Sequence, residues 1–160
     1  MKSIIVYSSQ TGNTQKLAET IYDTIMDEKM ICKIEDAPDP KVFDLICLGF
    51  WLKAGKPDPK SQEYLKKITQ QKLFLFATHG ASSQSQHAQQ AMETARTMAS
   101  QANIIGSFNC PGEVNPKILE KASSKPQPPV WLKDAPDAKD HPDNNDLEQL
   151  SQTLKQCLEK

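Results

Sequence analysis

Three short apolar runs constrain this chain more than any other feature: Ile4–Tyr7, Leu45–Leu48 and Leu73–Ala77. Each is continuous rather than alternating, so each must be buried on both faces. Between them lie segments with apolar residues at helical spacing. Leu17, Ile21 and Ile25, with Ala18 and Tyr22 beside them, mark one such face. Lys60–Ile68 and Ala88–Ser100 read as further helices, the second placing Ala91, Met92, Ala95, Met98 and Ala99 toward a sheet. Ile31–Ile34 and Asn103–Phe108 add two shorter strands. Doubly buried strands separated by helices predict an α/β fold, a three-layer, doubly wound, five-stranded parallel sheet. The economical strand order is 2-1-3-4-5, which puts the carboxyl ends of strands one and three at the topological switch point, where ligands bind.

The stretch at that point is Ser8-Ser9-Gln10-Thr11-Gly12-Asn13-Thr14, between the first strand and the first helix. A strand–loop–helix junction offers free backbone N–H groups and the positive end of a helix dipole. Four hydroxyls and the Asn13 amide add donors, and Gly12 lets the backbone come close to a ligand. Helix capping alone needs fewer such residues, so the stretch reads as a phosphate site. Rival phosphate sites fail on their residues. A nucleoside-triphosphate loop needs Lys then Ser or Thr after its last glycine, where this chain has Asn13-Thr14; Gly49 to Pro57 has the wrong spacing. No G-x-G-x-x-G occurs, and Arg96, the only arginine, has no cysteine before it at phosphatase spacing. A phospho-receiver domain needs acidic residues where Ser8-Ser9 and Gly49-Phe50 stand.

Two more loops follow strands on the same side. Phe50-Trp51-Leu52-Lys53-Ala54-Gly55-Lys56-Pro57-Asp58 is expected as a loop after a strand ending at Gly49. Its large apolar side chains need a reason. Trp51 could stack on a planar ligand, Phe50 reads as core, and Gly55 lets a peptide unit turn toward a ring edge. Thr78-His79-Gly80-Ala81 follows the fourth strand and holds no Tyr or Trp; His79 and His87 are the only rings nearby.

Length and charge set the frame. The 160 residues suit one domain, 1–160, able to bury roughly two-thirds of its unfolded surface. The net charge of −1 gives no footprint for nucleic acid. From Asp134 onward seven acidic residues face three lysines, which leaves the rest of the chain at +3. No apolar run reaches membrane-spanning or signal-peptide length, so membrane insertion is not expected. Cys32, Cys47, Cys110 and Cys157 are widely spaced, as free thiols in a reducing cytoplasm would be, and form no zinc pattern. An irregular insertion is expected at about 110–142. It follows Asn109-Cys110-Pro111-Gly112, includes a short helix over Pro116–Ala122 and contains Trp131, read as a flap beside the ligand, as a docking surface or as a passive anchor. Asp143–Asp146 can cap a last helix with Leu147, Leu150, Leu154 and Leu158 on one face.

Thr11-Gly12-Asn13-Thr14 resembles, residue for residue, the end of the phosphate loop of flavodoxins. Gly49-Phe50-Trp51, Gly80-Ala81, Gln86-His87-Ala88 and the stretch from Cys110-Pro111-Gly112 through Asn115-Pro116-Lys117 are similar to a bacterial branch of that family. That branch includes BilS-type proteins, some of them associated with bilirubin reductase. The resemblance implies noncovalent FMN. Ser8, Ser9, Gln10, Thr11, Gly12, Asn13 and Thr14 would hold its phosphate, and Phe50, Trp51, Leu52 and Gly55, with Thr78, His79 and Gly80, would surround its ring. With no arginine in these loops, the phosphate keeps its charge near the ring and disfavours the anionic reduced form, which suits one-electron transfer at low potential. No catalytic acid, base or metal set is evident. The expected function is therefore electron transfer to a redox partner protein. The alternatives are a flavin-dependent NAD(P)H or quinone-type reductase, and a binding module or accessory subunit of a reductase. The near-neutral charge differs from the strongly acidic character typical of the family.

Overall fold

A computed structural model describes residues 1–160. Five strands run parallel in the order β2-β1-β3-β5-β6, where β1 is Ser3–Tyr7, β2 Lys29–Lys33, β3 Leu45–Lys53, β5 Lys72–His79 and β6 Asn103–Pro111. The intervening β4, Lys56–Pro57, is a two-residue strand that pairs antiparallel with the end of β3. Counting only the parallel strands, this is the expected order 2-1-3-4-5. The helices are α1 (Asn13–Thr24), α2 (Pro59–Leu65), α3 (Gln86–Met98), α4 (Pro116–Ser123) and α5 (Asn144–Leu158).

Strand alternation distributes the core between the two sheet faces. Ile4, Val6, Ile46, Leu48, Phe50, Leu73, Leu75 and Ala77 pack with Tyr64, Leu65 and Ile68 near α2 and with Met92, Ala95 and Ala99 near α3. Ile5, Tyr7, Leu45, Cys47, Phe74 and Phe76 pack with Leu17, Ala18, Ile21 and Ile25 near α1 and with Leu150 and Leu154 of α5. The continuous apolar runs are continuous because both parities are needed. Each fully buried aliphatic side chain contributes on the order of 1.5–3 kcal/mol.

Two glycines set packing distances. A Cβ on Gly49 would lie 2.1 Å from the Phe76 ring, and one on Gly106 would lie 2.3 Å from Cys157 Sγ. Gly106 follows an irregularity where Leu73 pairs with Ile104 but Phe74 with Gly106, so Ile105 is left over and α5 seats directly on β6.

Three strands run further than the local sequence suggests. β3 does not stop at Gly49: it continues to Lys53, because β5 runs alongside and Trp51 stands opposite Thr78. The expected loop Phe50–Asp58 is thus a strand end and a hairpin. Its turn, Ala54-Gly55, has φ of +52° and +75° between the paired Lys53 and Lys56, as a two-residue hairpin of right-handed twist requires. Thr78 and His79 end β5, and Asn109-Cys110-Pro111 end β6, rather than lying in loops. In the segment before the last helix, Val130–Ala138 forms a 3-10 strap with Ala135 and Ala138 buried. Asp143 caps α5 in a reciprocal box with Asp146, as the sequence predicts. All four cysteines are free, with Cys47 and Cys110 buried.

Candidate functional site

The N-terminus of α1 differs from those of the other four α-helices. Asp58, Ser85, Asn115 and Asp143 each cap the helix that follows by accepting a backbone N–H. α1 begins at Gly12 (φ +92°) with no side-chain cap and no acidic residue in its first turn. Its first-turn N–H groups therefore keep their donor capacity and the dipole its positive end. Around them, Ser9 Oγ accepts from the Gly12 N–H at 3.1 Å, and the Asn13 amide donates to the Glu113 carbonyl at 2.9 Å. The second bond ties the loop after β1 to the segment after β6, where a Cβ on Gly112 would lie 2.8 Å from Asn13 Nδ2. Thr14 Oγ1 and Thr78 Oγ1 share a buried 2.9 Å hydrogen bond.

These contacts border a cavity of about 780 Å³ at the carboxyl ends of the parallel strands. Of the sequence-predicted residues, Ser9, Gln10, Thr11, Asn13, Thr14, Trp51, Leu52, Gly55, Thr78, His79 and Gly80 line it. Ser8, Gly12 and Phe50 do not. Ser8 is buried, its N–H donating to the Gly49 carbonyl at 2.9 Å, and Gly12 acts through its left-handed backbone. The placement of Phe50 around a ligand is corrected: one residue before Trp51, its side chain has the opposite parity, is 0% exposed and belongs to the core with α2 and α3.

His79 is fixed at both ring nitrogens. Nδ1 pairs with the Ala81 carbonyl at 3.0 Å, and Nε2 lies 2.9 Å from Asn109 Oδ1. Burial lowers its pKa, outweighing the two hydrogen bonds, which act to raise it. The neutral ring keeps both contacts when the Asn109 amide presents its NH2 group, an exchange of O for N that leaves the geometry unchanged. His87, at the start of α3, lies against the hairpin, its Cε1 3.6 Å from a Cβ placed on Gly55.

The far wall includes Trp131, which the sequence offers as a flap, a docking surface or an anchor, together with residues that local patterning does not reveal. α4 contributes Ile118, Lys121 and Ala122, the loop after it Lys125 and Pro129, and the strap Val130 and Trp131. Ile118 and Ala122 are spaced as one helical face, the only local clue. A Cβ on Gly80 would lie 2.7 Å from Val114 Cγ2 and 3.0 Å from the Trp131 ring, so Trp131 leans on the Gly80 backbone. The cavity is within the size range of small-molecule and cofactor sites, with neutral donors around the start of α1, the rings of Trp51 and Trp131 on its walls, and Lys53, Glu113, Lys121 and Lys125 as its charged lining.

An open parallel sheet of this order, with a hydroxyl- and amide-rich loop at its switch point, defines the flavodoxin-like class. Residues 4–155 match the model of the flavodoxin domain, and the chain belongs to that family. It is 31% identical to the flavodoxin-like domain-containing protein BilS of Clostridioides difficile (strain CD3), over all of this chain and 98% of that protein. Oxidised flavodoxin 2 from Bacillus cereus shares the fold with a TM-score of 0.64 at 17% identity, covering 99% of each chain. A flavoprotein in complex with FMN from Lactobacillus acidophilus superimposes with a TM-score of 0.55 at 20% identity, over 68% of this chain and 92% of that one. No helix is long and apolar enough to cross a membrane.

Proposed function

We propose that the chain binds FMN noncovalently and acts as an electron-transfer protein in the cytoplasm, passing electrons to a redox partner protein. The observation that carries this reading is the single cavity joining the uncapped N-terminus of α1 to Trp51 and Gly80. The donor set fits a phosphate monoester: hydroxyls of Ser9, Thr11 and Thr14, the amides of Gln10 and Asn13, and the N–H groups opening α1. Neither arginine nor lysine lies among them, so dipoles would hold the phosphate and leave its charge close to the ring; Lys53, Lys121 and Lys125 stand elsewhere on the cavity wall. Trp51 and Leu52 would bound the ring, with the Thr78–Gly80 backbone at its edge. Bound there, FMN supplies one- and two-electron chemistry. The structural neighbour that holds FMN and the flavodoxin family match support the cofactor; they leave the partner open.

The titratable groups on the wall are His79, His87, Glu113, Lys53, Lys121 and Lys125. His79 is held by Ala81 and Asn109, and Glu113, the only carboxylate there, receives the Asp140 N–H at 3.4 Å. This favours a carrier over a reductase with substrate chemistry of its own. The test is a visible spectrum and an FMN titration of the purified protein. Flavin bands with tight uptake, lost in Gly12→Asp, are expected, as is photoreduced protein that reoxidises on adding an electron acceptor. NAD(P)H oxidation by the purified protein alone would move the reading to a reductase, and absence of uptake at micromolar FMN would remove it.

A further inference from the structure

Four aromatic or imidazole rings line the cavity: Trp51, His79, His87 and Trp131. Two have other commitments. His79 is pinned by Ala81 and Asn109, and His87 lies on the Gly55 turn. Trp51 rises from the end of β3, opposite Thr78. Trp131 arrives from a different element, the 3-10 strap, and rests on Gly80, two residues beyond Thr78.

The strap is held from its middle to its C-terminal end. The Ser82 N–H donates to Asp134 Oδ2 at 3.4 Å, and the strap's own Ala135 and Ala138 are buried. Gly80 makes the approach possible, since any side chain there would collide with Val114 and the Trp131 ring. Trp131 nonetheless stays half-buried, with its ring on the cavity wall rather than in the core. A planar ligand stacked on Trp51 has a second face, and the remaining uncommitted ring is Trp131.

We propose that Trp131 supplies the second aromatic wall of the flavin site, in place of a ring from the segment that follows β5. The inference rests on the FMN reading above and adds a cofactor-contacting residue more than 50 positions away from that segment in sequence. The neighbouring Val130, 71% exposed, and Ile118, 42% exposed, then form the apolar lip through which the ring edge meets solvent.

The chain has only two tryptophans, so flavin emission can test the proposal. An indole in contact with an excited flavin quenches it by electron transfer, which fades beyond contact distance. Trp51→Phe leaves Trp131 alone, and bound FMN is expected to stay dark. The Trp51→Phe/Trp131→Phe double variant is expected to brighten severalfold. Independently, Trp131→Ala is expected to raise the FMN dissociation constant on the order of three- to tenfold, with Trp131→Phe close to wild type. Gly80→Ala, which displaces the ring, should weaken binding similarly and add little in the Trp131→Ala background. Full brightness in Trp51→Phe alone, or unchanged affinity in Trp131→Ala, overturns the proposal while leaving FMN binding intact. Wild-type protein that takes up no FMN overturns the cofactor reading and this proposal with it.

Discussion

Thr14 Oγ1 and Thr78 Oγ1 meet at 2.9 Å, 64 residues apart in sequence, and join the first turn of α1 to the end of β5. Both residues are nearly inaccessible, at 1% and 4% exposure. Thr14→Val leaves the Thr78 hydroxyl without its partner and is expected to cost about 1–3 kcal/mol in the FMN-free protein. Thr14→Val/Thr78→Val should cost less than the sum of the two single variants. Urea unfolding of the four proteins closes the cycle. Strict additivity would show that the two hydroxyls do not support one another.

Gly49→Ala is expected to destabilise by about 1–3 kcal/mol, because its methyl group must enter the space of the Phe76 ring. Gly49→Ala/Phe76→Leu should recover part of the loss. Thermal unfolding checks both, and an unaffected Gly49→Ala would mean that the ring moves aside freely.

Ala54 carries a φ of +52° at the hairpin turn. A left-handed conformation costs a residue with a Cβ roughly 1–2 kcal/mol. Ala54→Gly removes that strain at some cost in backbone entropy, and Ala54→Asn lowers it without that entropy cost. Ala54→Asn is therefore expected to raise the melting temperature, with little effect on the sheet.

Two histidines give stability opposite slopes with pH. His141 Nδ1 lies 2.6 Å from Asp146 Oδ2, and that hydrogen bond raises its pKa above 6.5. Its contribution is complete below 6.5 and is lost as pH rises through the raised value. His79 is shifted down by burial, so the unfolded chain takes up its proton first and stability falls as pH drops below 6.5. Denaturation midpoints should fall away on either side of about pH 6.5 for these two groups. His141→Gln should flatten the alkaline side alone. Imidazole NMR titration checks the assignments, and a His141 midpoint below 6.5 would reverse its sign.

Much of this was legible in the chain. The parallel sheet could be read from Ile4–Tyr7 and Leu73–Ala77 because burial on both faces leaves no polar alternation. The loop Ser8–Thr14 could be read because its donors are contiguous. The end of β3 could not. Whether a strand continues past Gly49 depends on β5 running beside it to Thr78, a tertiary pairing with no local mark. Phe50 and Trp51 are adjacent, and the reading of Phe50 as core and Trp51 as ligand-facing agrees with the sheet parity, whereas the family resemblance places both around the ring. The distinction of α1 also emerged from comparison within the structure, since a missing cap is visible only once the other four helices are seen to have theirs. Trp131 lies in a segment without periodicity, and its place against the cavity depends on Gly80, about a third of the chain away.

The bond from Asn13 to the Glu113 carbonyl, which spans 100 residues, has a consequence for the order of events during translation. Ribosomes add about 5–20 residues per second, so the loop after β1 emerges on the order of 5–20 s before its partner. Trp131 comes later still. A nascent chain can assemble β1, α1 and β2 early, yet it cannot close the pocket until Trp131 has been made. Closure of the cavity is therefore a late event, and a translation product that stops short of Glu113 would carry the Ser8–Thr14 loop without the opposite wall that Asn13 is tied to.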